Sequence, residues 1–124
     1  MTQRVRLLAC YALFVLSLAL GLLGWRSLWT SGMLSKVWSE RTAPYIIAFA
    51  AVQLLAWMLL ILLLRRFHRG VSQISSRRVL GMMLGLLFGN VLYHFTLTAV
   101  AVVHLILAVL AVESLRMGNR VYSD

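Results

Sequence analysis

Acidic side chains are almost missing: Glu40, Glu113 and Asp124 are the only three in 124 residues. None lies within an apolar run, so proton- or cation-coupled transport through an intramembrane carboxylate is not expected. Neither is general acid–base chemistry by paired carboxylates. Cysteine is nearly absent as well. Cys10 stands alone, which excludes an internal disulfide, a dithiol redox pair and a cysteine-based zinc site. There is one proline, Pro44, and no Pro-, Gly- or Ser-rich linker, low-complexity tract or repeat. The length fits a single domain, 1–124. No Ser/His/Asp constellation, phosphate-cradling loop or metalloprotease motif occurs, so an enzyme is not expected.

Apolar residues dominate instead. The chain is 62% hydrophobic and 12% charged, with a mean hydropathy of +0.91. Soluble domains run near half apolar and a quarter charged. The composition therefore specifies an integral membrane protein. Lys and Arg number 12, the net charge is +9 and the pI is about 11.4. The basic residues bracket the apolar runs, as the positive-inside bias and contact with anionic lipid head groups require. No basic face exists for nucleic acid.

Three apolar segments are readable. Residues 7–24 span ~27 Å as a helix, preceded by Arg4 and Arg6. The run is long for a signal peptide and no Ala-x-Ala pattern follows, so a retained transmembrane helix is expected. Residues 45–64 span ~30 Å, with Pro44 at the start, where a missing N–H costs nothing. Arg65 and Arg66 follow it, and Gln53 is its one strongly polar interior residue. Residues 79–112 would make a single helix of ~51 Å. A break near Gly89 and Asn90 would leave a first piece of about ten residues, too short to span, so one long tilted helix is expected. The fold class is thus all-α: a three-helix membrane bundle of spans 7–24, 45–64 and 79–112, the third helix in the middle. The arginines at the N-terminus and between Arg65 and Arg78 favour a cytoplasmic N-terminus and an external C-terminus. The expected setting is a bacterial inner (plasma) membrane.

Trp25, Leu28, Trp29 and Met33 recur at helical spacing after the first span, with Trp38 and Tyr45 beyond. Two readings stand side by side: a short amphipathic segment lying in the interface, or a loop anchored by its indoles. In either, Trp25, Trp29, Trp38 and Tyr45 are interface anchors.

The third segment carries the polar and small residues. Gly81, Gly85 and Gly89 repeat every four positions, a ridge against which another backbone can pack in lipid. Another side gathers Asn90, His94, Thr98 and His104, a polar intramembrane face. Its readings are interhelical hydrogen bonding or a cofactor site. Haem is the one cofactor the histidines suggest. His94 and His104 lie ten positions apart, ~15 Å along a helix, so they cannot share an iron. Six-coordinate ligation there would need a second chain. No carboxylate or thiol accompanies them for zinc, and no metal site is expected.

Residues 95–108 resemble a helix of haem–copper oxidase subunit III, a family that reads Phe-x-x-Thr-Gly-x-His-x-x-His-Val-x-x-Gly. Phe95, Thr98, His104 and, less strictly, Ala108 match, while Ala99 replaces the glycine and Ala101 the first histidine. The similarity covers about a tenth of the chain, and the family's next helix, rich in Trp, His and Asp, has no counterpart. The resemblance implies a respiratory, oxidase-associated subunit without a redox metal of its own. The leading expectation is accordingly a non-catalytic small subunit of a larger membrane complex, with other membrane subunits or its own copies as partners. The alternatives are a haem- or cofactor-binding membrane anchor through His94 or His104, and a small oligomeric channel or transporter lined by Asn90, His94, Thr98 and His104.

Overall fold

The computed structural model describes residues 2–32, 35–36, 38–69, 75–92 and 96–123, with side chains of the last helix described through Met117. The described residues form an all-α membrane bundle: α1 (Gln3–Thr30), α2 (Ala43–His68), α3 (Ser76–Val91) and α4 (Leu97–Ser123). Three helices, α1, α2 and α4 over Leu97–Met117, are long and apolar enough to cross a membrane.

Local chemistry sets the ends. Thr2 caps α1, its hydroxyl accepting from Val5 N at 3.4 Å. No breaker follows Gly24, so the helix runs through Trp25, Leu28 and Trp29 to Thr30. The turn comes only at Gly32, whose φ of 73° favours glycine. Those three residues therefore belong to the first helix rather than to a separate interfacial segment, and Met33 lies outside the described residues. Pro44 sits in the first turn of α2. Arg65, Arg66 and His68 form its last turn, where cations complement the helix dipole.

The single long helix over 79–112 is not what forms. Ser75 caps α3, its hydroxyl accepting from Arg77 N at 3.3 Å, and draws Arg77 and Arg78 into the helix. Thr96 caps α4, its hydroxyl accepting from Ala99 N at 3.1 Å. With the two arginine positions added, the first piece reaches 16 residues, ~24 Å. It is still short of a hydrocarbon core, and it succeeds because α1 and α4 flank it.

Contacts fix the helix directions. Arg6 with Ser76 and Asn90 with Ser17 make α1 and α3 parallel. Trp25 with Gln53, and Tyr11 with His68, make α1 and α2 antiparallel. Arg66 with Leu115, and Trp57 with His104, make α2 and α4 parallel. Gly85 against Leu107, and Gly89 against Val103, make α3 and α4 an antiparallel hairpin. Around the bundle the order is α1, α3, α4, α2. The core between them holds Leu60, Leu63, Leu64, Val79, Met83 and Leu86, all buried. The outward faces carry Leu8, Leu54, Phe88 and Val109, each more than half exposed. That surface would be a liability in water and is at rest in lipid.

Even helix number brings both chain ends together. Arg4, Arg6, Arg65, Arg66, Arg69, Arg77, Arg78, Arg116 and Arg120 share one end of the bundle, leaving Arg26, Lys36 and Arg41 at the other. At the basic end, Arg6 Nη1 donates to Ser76 Oγ at 2.6 Å and Arg66 Nη1 to the Leu115 carbonyl at 2.9 Å. Arg78 lies 4.0 Å from Glu113.

The glycines divide by environment. A Cβ on Gly21 would lie 2.6 Å from the Trp57 ring, and one on Gly89 2.9 Å from Val103. At Gly81 it would meet nothing within 4 Å. Gly21→Ala should therefore cost about 1–3 kcal/mol, because a rigid indole must move. Gly81→Ala should cost nothing, since alanine also has the better helix propensity. Thermal unfolding of the two variants in one detergent checks the contrast; equal midpoints would mean that α1 and α2 do not approach at Gly21.

Candidate functional site

Three of the five buried polar side chains among the described residues converge on one layer. Ser17 on α1, Gln53 on α2 and Asn90 on α3 are all buried. Asn90 Nδ2 donates to Ser17 Oγ at 2.7 Å and to the Ser17 carbonyl at 2.9 Å. Its Oδ1 accepts from Gln53 Nε2 at 2.9 Å. Gln53 Oε1 in turn accepts from Trp25 Nε1 at 2.6 Å, and Trp25 packs at 5.2 Å on Phe49. One amide thus ties three helices together, and a second carries the chain to the indole. In a low-dielectric interior each unmade bond of this kind would be expensive.

The helix geometry explains why these residues meet. Gly21 is one turn beyond Ser17 on α1, and its missing side chain admits both the Trp57 ring and Asn90 Oδ1, the latter 3.1 Å from where a Cβ would stand. Where α3 ends, the bundle leaves a cavity of about 10 Å³, lined by Gly24, Trp25, Gln53, Asn90, Leu97 and Val100 among others. That is room for about one water.

His104 lies beside this layer, on α4. It is fully buried. Its Nδ1 is 2.8 Å from the Val100 carbonyl. A carbonyl only accepts, so Nδ1 carries the proton, and Nε2 of the neutral ring is the acceptor. The ring meets Trp57 edge-on, centroids 6.5 Å apart. Trp57 Nε1 and His104 Nε2 are each buried without a hydrogen-bond partner among the described residues, a donor and an acceptor on neighbouring rings.

The residues singled out from sequence are dispersed rather than gathered. Asn90 and His104 sit on different helices, because the chain turns between them. Thr98 is exposed on α4 and joins neither, so the expected single polar face does not exist. His94 lies outside the described residues. Gly85 and Gly89 pack within the chain against Leu107 and Val103, and only Gly81 is open. Trp25 is no interface anchor: its indole points inward onto Gln53. Trp29, Trp38 and Tyr45 are exposed at the end opposite the arginine cluster, at 75%, 50% and 77%. The His104 ring is enclosed: Trp57 meets its edge, the His104 Cε1 lies 3.4 Å from where a Gly89 Cβ would stand, and Nε2 is buried. The described residues also hold no group of three or more His, Cys, Asp or Glu side chains able to take a metal.

Ser17, Gly21 and Trp57 have roles that sequence reading missed. The usable signal was an intramembrane amide on each of two segments, Gln53 and Asn90, since buried amides in lipid seek partners. No protein-family model, curated protein or solved structure matches this chain.

Asn90→Leu should destabilise the bundle by about 1–3 kcal/mol, stranding Gln53 and Ser17. A Gln53→Leu and Asn90→Leu double-mutant cycle should show a coupling of about 0.6–1.7 kcal/mol. Unfolding titrations in mixed micelles measure both, and strict additivity would deny the bond between the amides.

Proposed function

We propose that this chain is a non-catalytic accessory subunit of a larger membrane complex. One observation carries the reading: the buried amides are spent on holding helices together. Ser17, Gln53 and Asn90 satisfy one another, and no Asp, Glu, Lys or Arg is buried among the described residues. No nucleophile–base pair forms among the described residues, and the cavity beside the polar layer accommodates about one water. A bundle built this way acts through its surfaces. Those are apolar flanks inside the membrane and an arginine-rich end outside it. The resemblance of residues 95–108 to oxidase subunit III makes a respiratory complex the first partner to examine, with a homo-oligomer as the alternative assembly.

Two measurements test this. In native membranes the chain should migrate in an assembly larger than any homo-oligomer, and its deletion should lower the level of the partner complex. The purified chain should be colourless and should not conduct ions in planar bilayers. Ion conductance by the chain alone would replace this reading with a channel, and a Soret band would replace it with a cofactor anchor.

Orientation belongs to the same proposal. With nine of twelve basic residues at the end shared by both termini, the positive-inside rule puts both termini in the cytoplasm. This departs from the external C-terminus expected of three spans. The extra helix moves Arg116 and Arg120 to the basic side. The host membrane proposed is a bacterial inner membrane. A fluorescent-protein fusion after Asp124 should be bright and an alkaline-phosphatase fusion there inactive. The reverse result would invert the bundle.

A further inference from the structure

We infer that the groove between α2 and α4 is a binding site for one anionic phospholipid, phosphodiester at the arginines and an acyl chain along the leucines. The inference is independent of the accessory-subunit reading.

The groove begins at the basic end. There a cleft of about 360 Å³ is lined by Arg65, Arg66, Arg69, Leu62 and Leu115. Arg65 and Arg69 are exposed. Arg66 is held in place by its bond to the Leu115 carbonyl, which bridges the two helices at the cleft. Three guanidiniums around one cleft suit a phosphodiester, which takes parallel N–H donors. The cleft also lies at the last turn of α2, an end whose dipole repels anions. The arginine charges therefore have to supply the attraction.

Toward the membrane interior, a second cleft of about 400 Å³ lies between the same two helices, lined by Leu55, Leu59, Leu105, Val109 and Val112, with Ala108 buried between them. The two clefts are in line. Leu55, Leu59, Leu62, Arg66 and Arg69 are spaced four, three, four and three apart, one face of α2. Leu105, Val109, Val112 and Arg116 follow the same rule on α4. From Leu55 to Arg66 is ~16 Å along the helix axis, about half of a hydrocarbon core. The apolar section is therefore one leaflet deep. Its one acidic residue, Glu113, lies 4.0 Å from Arg78 and is partly neutralised there. Basic charge at the leaflet surface, joined to an apolar channel one leaflet long, is the complement of a single anionic lipid. A neutral lipid would offer the exposed Arg65 and Arg69 no counter-charge.

Native mass spectrometry of the full chain in mild detergent, titrated with dioleoylphosphatidylglycerol and dioleoylphosphatidylcholine, tests the site. The anionic lipid should be retained on the order of tenfold more tightly. Arg65→Gln with Arg69→Gln should remove most of that preference. Both residues are exposed, so helical content should be unchanged by circular dichroism. Should that variant misfold, Leu105→Trp supplies the second test: it fills the apolar section, and it should weaken phosphatidylglycerol retention with every arginine intact. Millimolar inorganic phosphate should not displace the lipid. Equal retention of the two lipids, or a preference that survives the arginine substitutions, overturns the inference. Displacement by phosphate, together with indifference to Leu105→Trp, would reduce the site to a free-anion site and overturn it too. A dimer that Leu105→Trp dissociates without changing lipid preference would assign the groove to a second copy of this chain.

Discussion

The Asn90 side chain is the point on which the bundle closes. Helices in lipid gain little from burying leucine against leucine, because the acyl chains are equally apolar. A primary amide is different. It has two donors and an acceptor that lipid cannot satisfy. Asn90 places its donors on Ser17 and its acceptor on Gln53, so α1, α2 and α3 must meet at one depth and in one rotation. The close approach at Gly21 and the inward turn of Trp25 follow from that registration. α4 enters separately, through the glycines of α3 and the packing of His104 on Trp57.

This arrangement also explains a helix too short for its surroundings. α3 ends just past Asn90, as soon as the amide has reached its partners. The neighbouring helices continue, and the small cavity beside the polar layer marks the difference in length. A membrane helix that stops early must hide its last carbonyls in protein. Trp25, Phe49 and Leu97 surround that position. The constraint on the polar layer and the constraint on the helix end are therefore met by one set of residues.

Charge and packing divide the molecule along its long axis. Among the described residues no acid is buried, and nine of the twelve basic residues are collected at one end, where Arg66 and Arg6 stitch helices together. The buried amides thus hold helices together within the bundle, and most of the charge lies at one end of it.

Composition and periodicity by themselves determined the class: an all-α membrane protein with three helices of spanning length. Those properties are local, since hydropathy, length and residue type can be read without knowing neighbours. Helix ends were legible only in part. Pro44 and the Arg65–Arg66 pair marked α2 to within a few residues. The cap at Ser75 was hidden because arginines usually end an apolar run, and Thr96 was hidden because it lies inside one. Tertiary structure alone decided that 79–112 is a hairpin, since a 16-residue helix is stable in lipid only when others cover it. It also decided that Asn90 and His104 face different partners, that Trp25 points inward, and that both termini share the basic end. Each of these depends on which helices become neighbours, and no single segment carries that information.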